Sequence, residues 1–148
     1  MTLVHGTSLM VNGVGVLLRG PPGSGKSDLA LRMIDGGAEL VADDQTVLTY
    51  ENGAVIMSSN AVIEGLLEVC GVGILPVHSV PRAALGLVVD LVNIQLIERL
   101  PEKQFCDVLG VAVRLLRLPP FAGSTPAKLR LAVAALDLDT ARMRRQKR

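Results

Sequence analysis

The sequence predicts an α/β domain built on a mixed sheet. Three stretches carry that prediction. An apolar run, Val14 to Leu18, enters the glycine-rich segment Gly20-Pro21-Pro22-Gly23-Ser24-Gly25-Lys26-Ser27, and a helical pattern leaves it. Two Asn-Gly pairs, Asn12-Gly13 and Asn52-Gly53, lie between apolar stretches and mark tight hairpins, because both central residues of such a turn take positive φ. A continuous apolar run, Ala84 to Val92, reads as a buried strand. The hairpins argue against an all-parallel sheet.

In chain order, strands are expected near Ser8–Val11 and Val14–Leu18. The first helix spans about Lys26 to Asp35, where Leu29/Met33 and Ala30/Ile34 repeat at i, i+4 on one face, and Gly36-Gly37 ends it. Glu39 to Ala42 is a short strand ending at Asp43-Asp44, and Gln45–Tyr50 pairs with Ala54–Ser58. Ala61 to Val77 is rich in glycine, which implies close backbone approach or unusual dihedrals. Asn93 to Gly110 is mixed and polar and is expected to be loop-rich, with a mobile segment at Glu98-Arg99-Leu100-Pro101-Glu102. Val111 to Leu118 is a further strand. Thr125-Pro126 has the form of an N-cap followed by Pro at the first helical position, and Leu129, Ala132, Val133 and Leu136 give the last helix its apolar face.

Composition narrows the function classes. The 148 residues suit one domain with an aliphatic core, since nearly half are hydrophobic and few are aromatic. A net charge of +1 gives no global electrostatic case for nucleic acid. The basic run Arg142, Arg144, Arg145, Lys147, Arg148 reads as a solvated end. Cys70 and Cys106 form no C-x-x-C pair, which points to a reducing compartment and to no cysteine metal site. No stretch approaches the ~18 apolar residues of a membrane helix, and no secretory leader is seen, so a cytoplasmic protein without membrane contact is expected.

Chemistry is expected around residues 20–27, which read G-x-x-x-x-G-K-S, the phosphate-binding P-loop. Its glycines let backbone N–H groups turn inward, and the helix that follows presents its positive end to the phosphates. A nucleotide is therefore expected to bind, with Lys26 on the β- and γ-phosphates and the Ser27 hydroxyl on Mg²⁺. Asp43 and Asp44 stand at a strand end, where one can orient metal or Lys26 while the other accepts a proton from an incoming hydroxyl. Asp90 competes as a strand-end metal aspartate, although its apolar run continues through Leu91-Val92. His5 is a possible phosphate or carboxylate partner, Glu68 a second metal ligand and Arg99 a loop arginine for the transition state. An ordinary turn, a structural histidine and solvent-facing side chains are the plainer readings of these residues.

Together these stretches resemble the bacterial HPr kinase/phosphorylase family. His5-Gly6, the P-loop, Leu40-Val41-Ala42-Asp43-Asp44 and Leu67-Glu68-Val69-Cys70-Gly71-Val72-Gly73-Ile74-Leu75 match its segments in order, across half the chain. The resemblance implies a single P-loop kinase domain over residues 1–148, with a mixed central sheet flanked by helices and the family's N-terminal domain absent. It implies ATP- and Mg²⁺-dependent phosphorylation of a serine of HPr, the phosphocarrier of the sugar phosphotransferase system, with phosphorolytic reversal. By the same resemblance Asp44 is the proton acceptor, Asp43 its partner, His5 and Lys26 catalytic, and Ser27 and Glu68 metal ligands. Arg99 corresponds to a mobile-loop arginine, at compressed spacing. A homo-oligomer, hexameric in the family, is implied.

The chain departs from the family in two places. Cys70 stands where the signature carries arginine, and the family's P-x-x-P-G-R-N segment, tied to dephosphorylation, is replaced by Pro119-Pro120-Phe121-Ala122-Gly123-Ser124-Thr125-Pro126, with Lys128 close behind. Two other readings therefore stand beside the HPr kinase. One is a small-molecule kinase, which would need several lid arginines where the middle of the chain offers only Arg82 and Arg99. The other is a catalytically weak ATP-sensing module that acts through a protein partner.

Overall fold

The computed structural model describes residues 1–60 and 62–146, with side chains through residue 136. The basic end therefore falls on side chains outside the described ones. Nine strands form one sheet in the order β1 (Thr2–His5), β5 (Gln45–Glu51), β6 (Ala54–Ser58), β9 (Arg82–Leu91), β3 (Val14–Arg19), β2 (Thr7–Val11), β4 (Glu39–Ala42), with β11 (Val111–Leu118) and β10 (Gln104–Val108) branching from β9. β7 (Leu66–Val69) and β8 (Gly73–Pro76) make a separate hairpin. β9 is the hub. It pairs with β6 antiparallel over its first residues, and with β3 and β11 in parallel over the rest. The mixed sheet follows directly, since β3, β9 and β11 run parallel while the hairpins and the β1–β5, β2–β4 and β6–β9 pairs are antiparallel.

Alternation along the central strands gives the sheet two apolar faces. Val16, Leu18, Leu87, Val89 and Leu91 pack on one side with Leu29, Ala30 and Met33 of α1 (Lys26–Asp35) and with Leu129 and Val133 of α2 (Thr125–Gln146). Leu17 and Val88 point the other way, where Val41, Val55, Met57, Val108 and Val113 join them. Strands thus cover the second face, and the sheet curls over itself.

Most expected elements are present, several at the expected bounds, but three points differ. Thr2–His5 is an added edge strand, paired with β5 from Thr2↔Leu48 to His5↔Gln45. Asn93 to Gly110 is more ordered than its polarity suggested. It holds a 3₁₀ turn at Ile94–Leu96 and β10, whose hairpin to β11 turns at Leu109-Gly110 with φ of 49° and 82°. Leucine at a left-handed position hides that turn from sequence rules, which look for Asn or Asp there. At the last helix, Lys128 N–H donates to Ser124 O at 2.9 Å, so Ser124 holds the cap position and Thr125 already begins the helix. The Thr125 hydroxyl instead donates to Pro119 O at 2.5 Å, tying the helix start to the end of β11.

Both cysteines are free thiols, Cys70 exposed and Cys106 partly covered on β10. Burial pushes the Cys106 thiol up, while the nearby Arg19 guanidinium pulls it partly back. Less thiolate means slower alkylation. In mildly alkaline buffer a thiol reagent is expected to label Cys70 in a fast phase and Cys106 in a slow one. A Cys70→Ser chain that still shows the fast phase would contradict this.

Candidate active site

β3 delivers the chain into the P-loop, and α1 carries it away. Gly23 and Gly25 take φ of 78° and 98°, and Ser24 N–H donates to Pro21 O at 3.0 Å, closing the loop. These left-handed residues need glycine, and they aim the first N–H groups of α1 at the loop's mouth. Lys26 is buried, with its ammonium donating to Gly20 O at 2.7 Å and Pro21 O at 3.1 Å. These two carbonyls hold the ammonium within the loop.

Ser27 joins the loop to the end of β4. Its hydroxyl donates to Asp43 Oδ1 at 2.7 Å. The same oxygen accepts from the Thr7 hydroxyl at 3.2 Å, and Oδ2 accepts from Glu68 N–H at 3.0 Å. The buried Asp43 carboxylate therefore ties together β2, α1 and β7. The polar neighbours Ser8 and Thr46, both buried, bond to each other at 2.9 Å, and Thr46 also donates to Gly6 O.

Asp44 differs from Asp43 in every respect that matters for chemistry. It is exposed, and its φ of 64° is left-handed. Gln45 N–H donates to Asp43 O at 2.7 Å, an i→i+2 bond across Asp44, while Asp44 O accepts from Gly6 N–H and Asp44 N–H donates to the Thr7 hydroxyl. A reversal this tight at a non-glycine residue stores strain on the order of 1–3 kcal/mol. The surrounding bonds hold it there, so the carboxylate is presented beyond the strand end. Register places His5 opposite Gln45, one residue from Asp44, and His5 is exposed.

Glu68 and Cys70 belong to the β7–β8 hairpin, whose turn has Gly71 at φ 83° and Val72 N–H bonded to Val69 O. A small cleft of about 100 Å³ is lined by Ser27, Asp28, Glu68 and Cys70. Ser27, Asp43 and Glu68 thus converge from three elements. Among the described residues no three His, Cys, Asp or Glu side chains form a closed metal cage. Mg²⁺ does not need one, since it keeps several waters and takes one or two carboxylates beside phosphate oxygens. The Ser27–Asp43 pair with Glu68 across the cleft fits that donor set.

Asp90, the rival aspartate, is engaged elsewhere. Arg19 Nε donates to Asp90 Oδ1 at 2.7 Å and Arg19 Nη2 to Oδ2 at 3.1 Å. The parallel register of β3 and β9 sets Arg19 beside Asp90, and the two-pronged bond raises the Arg19 pKa above its usual value. Arg99 lies exposed between the 3₁₀ turn and β10, and no hydrogen bond among the described residues joins it to Lys26, Ser27 or Asp43. Thr7, by contrast, is a site residue that sequence reading missed. A threonine in a strand carries no local signal, and only its position beside β4 makes it the clamp for Asp43 and Asp44.

The comparisons with known proteins give the family. The model of the HPr Serine kinase C-terminal domain matches residues 1–147. An HPr kinase/phosphorylase of Clostridium botulinum is 34% identical over 146 residues, covering 90% of this chain and 47% of the relative. One from Bordetella pertussis is 38% identical over 140 residues, covering 86% and 46%. The chain thus spans about half the length of these curated relatives. The solved structure of the Hpr(Ser) kinase/phosphatase from Coxiella burnetii superposes with a TM-score of 0.89 at 26% identity, covering 99% of this chain and 97% of that one. A P-loop locked to a strand-end aspartate, in a sheet that superposes over nearly its whole length on a solved relative, accords with the match over residues 1–147, and the chain belongs to the HPr serine kinase C-terminal domain family.

Proposed function

We propose that residues 1–148 form a kinase module that transfers the γ-phosphoryl group of ATP to a serine hydroxyl of an HPr-like phosphocarrier. The observation that carries this reading is the bond from Ser27 to Asp43, which leaves Asp44 exposed beside the P-loop. In it, the P-loop amides and Lys26 hold the phosphates and neutralise charge on the oxygens. Ser27, Asp43 and Glu68 would hold Mg²⁺, which when bound screens the β- and γ-phosphate oxygens. Asp44 takes the proton from the attacking serine, and His5, one residue across the β1–β5 pair, is positioned to assist it.

The relatives' printed names include both kinase and phosphorylase. We assign the forward direction to this chain, because Pro119 to Pro126 stands where the resembling family carries its segment tied to dephosphorylation. Arg99 belongs to the proposal as a loop arginine that reaches the site when the partner binds. So do regulation of phosphotransferase-linked carbon use, a cytoplasmic location and assembly into a homo-oligomer, hexameric by resemblance. No helix among the described residues is long and apolar enough to cross a membrane. Exposed Phe105 on the outer strand β10 and exposed Ile74 on β8 are apolar surface suited to protein contacts.

The test is incubation of the purified chain with γ-labelled ATP, Mg²⁺ and HPr from the same organism. Label on an HPr serine is the expected result. ATP binding without label would favour the sensor reading, for which the missing cation at Cys70 is the specific support.

A further inference from the structure

The P-loop accounts for the phosphates of a nucleotide and leaves its base without a site. In the sheet, β2 and β4 lie on one side of β3, with Asp43 and Asp44 at the end of β4, while β9 and β11 lie on the other. Beyond the carboxyl ends of β9 and β11 lies an open cleft of about 510 Å³, within the roughly 300–1,000 Å³ of small-molecule sites. Residues 91–94, from the last residue of β9 onward, form one wall and residues 119–122 after β11 the other. Pro21 and Ser24 of the P-loop line its inner end, so the cleft and the phosphate site are continuous. Ligands of open α/β sheets bind at this level, outside the carboxyl ends of neighbouring parallel strands.

Two large apolar side chains in the cleft stay uncovered, with Phe121 67% and Ile94 63% exposed. Phe121 is nonetheless fixed against the loop, since a Cβ on Gly25 would come within 2.9 Å of its ring. The strap that carries it is held by Arg32 of α1, whose guanidinium donates to Pro120 O and, at 3.3 Å, to Ala122 O. At the junction with the P-loop, Ser24 Oγ is buried and has no hydrogen-bond partner among the described residues. A buried hydroxyl left unpaired costs free energy, and a ligand atom at the junction would satisfy it.

We propose that this cleft takes the nucleobase, stacked on Phe121 and packed against Ile94, with Ser24 Oγ at the ribose end. The inference rests on the nucleotide-binding reading above and adds where affinity for the base arises. A flat heterocycle suits the cleft because its faces are apolar and π-rich, while its far edge reaches solvent. Stacking reads the presence of a base more than its identity.

The experiment compares ATP with inorganic tripolyphosphate, which carries the phosphates without a base, by calorimetry in the presence of Mg²⁺. Phe121→Ala is expected to weaken ATP binding about tenfold and to leave tripolyphosphate unchanged. The chain contains no tryptophan. Phe121→Trp therefore introduces a single reporter, expected to keep ATP affinity and to change its emission with ATP but not with tripolyphosphate. Equal weakening of both ligands in Phe121→Ala, or of neither, overturns the base cleft while the P-loop reading stands. Wild-type chain that binds neither ligand overturns both.

Discussion

Asp44→Asn is expected to lower phosphoryl transfer to HPr by about 10²–10⁴-fold, the usual worth of a positioned general base, while ATP binding stays near the wild-type value. The choice of asparagine is physical. Asp44 sits at φ 64°, and Asn is one of the few residues that enter this region readily. Its backbone bonds, from Gly6 N–H and to the Thr7 hydroxyl, involve no carboxylate oxygen, so the substitution leaves them intact. Alanine would add left-handed strain and mix a folding defect with a chemical one. The readouts are the rate of label transfer and, separately, the ATP dissociation constant. Transfer within a few-fold of wild type would remove Asp44 from the base role. Loss of ATP binding in step with transfer would show that the residue shapes the nucleotide site instead.

Asp43→Asn is expected to injure both stability and function. The carboxylate accepts three hydrogen bonds, from Ser27, Thr7 and the Glu68 amide. An asparagine oxygen can keep the two at Oδ1, but its NH₂ group then faces the Glu68 N–H, donor against donor. The asparagine NH₂ at this buried position is left without an acceptor and faces a part-buried N–H, at a cost on the order of 1–2 kcal/mol, which lowers the melting temperature by about 2–8 °C in a domain of this size. Transfer should fall as well, because the Ser27 hydroxyl loses its charged partner. Thr7→Val tests the account from the other side. It removes one donor to Asp43 and the acceptor for Asp44 N–H, and should melt between wild type and Asp43→Asn. An Asp43→Asn chain that melts with wild type would show that these bonds carry little net stability.

The contrast between the two neighbouring aspartates shows how far sequence reading reached. From the chain alone, one was expected to orient metal or Lys26 and the other to take a proton. The residues left open which does which, the family resemblance named Asp44 as the proton acceptor, and the fold adds that Asp43 is buried and Asp44 exposed. Asp43 is the last residue whose side chain points back under α1, and the reversal at Asp44 turns the next carboxylate outward. Asp90 looked comparable from its apolar run, yet the β3–β9 register commits it to Arg19. The strand β10 was hidden for a related reason. Its residues Gln104, Phe105 and Asp107 are exposed, so no apolar alternation announced it, and β11 supplies the pairing that makes it a strand.

What the sequence determined by itself is whatever depends on neighbours a few residues apart. The P-loop, the helix that leaves it, the Asn-Gly hairpins and the buried run of β9 follow from turn dihedrals, helical spacing and apolar alternation, and the family resemblance rests on the same local segments. What only the tertiary structure decided are the pairings between distant residues. Ser27 meets Asp43 across 16 positions, Thr7 meets Asp43 across 36, Arg19 meets Asp90 across 71, and Arg32 meets Pro120 across 88. Such contacts are set by strand order and register, which one hydrophobic pattern leaves open and the packed sheet settles, because a one-residue slip would turn the apolar faces outward.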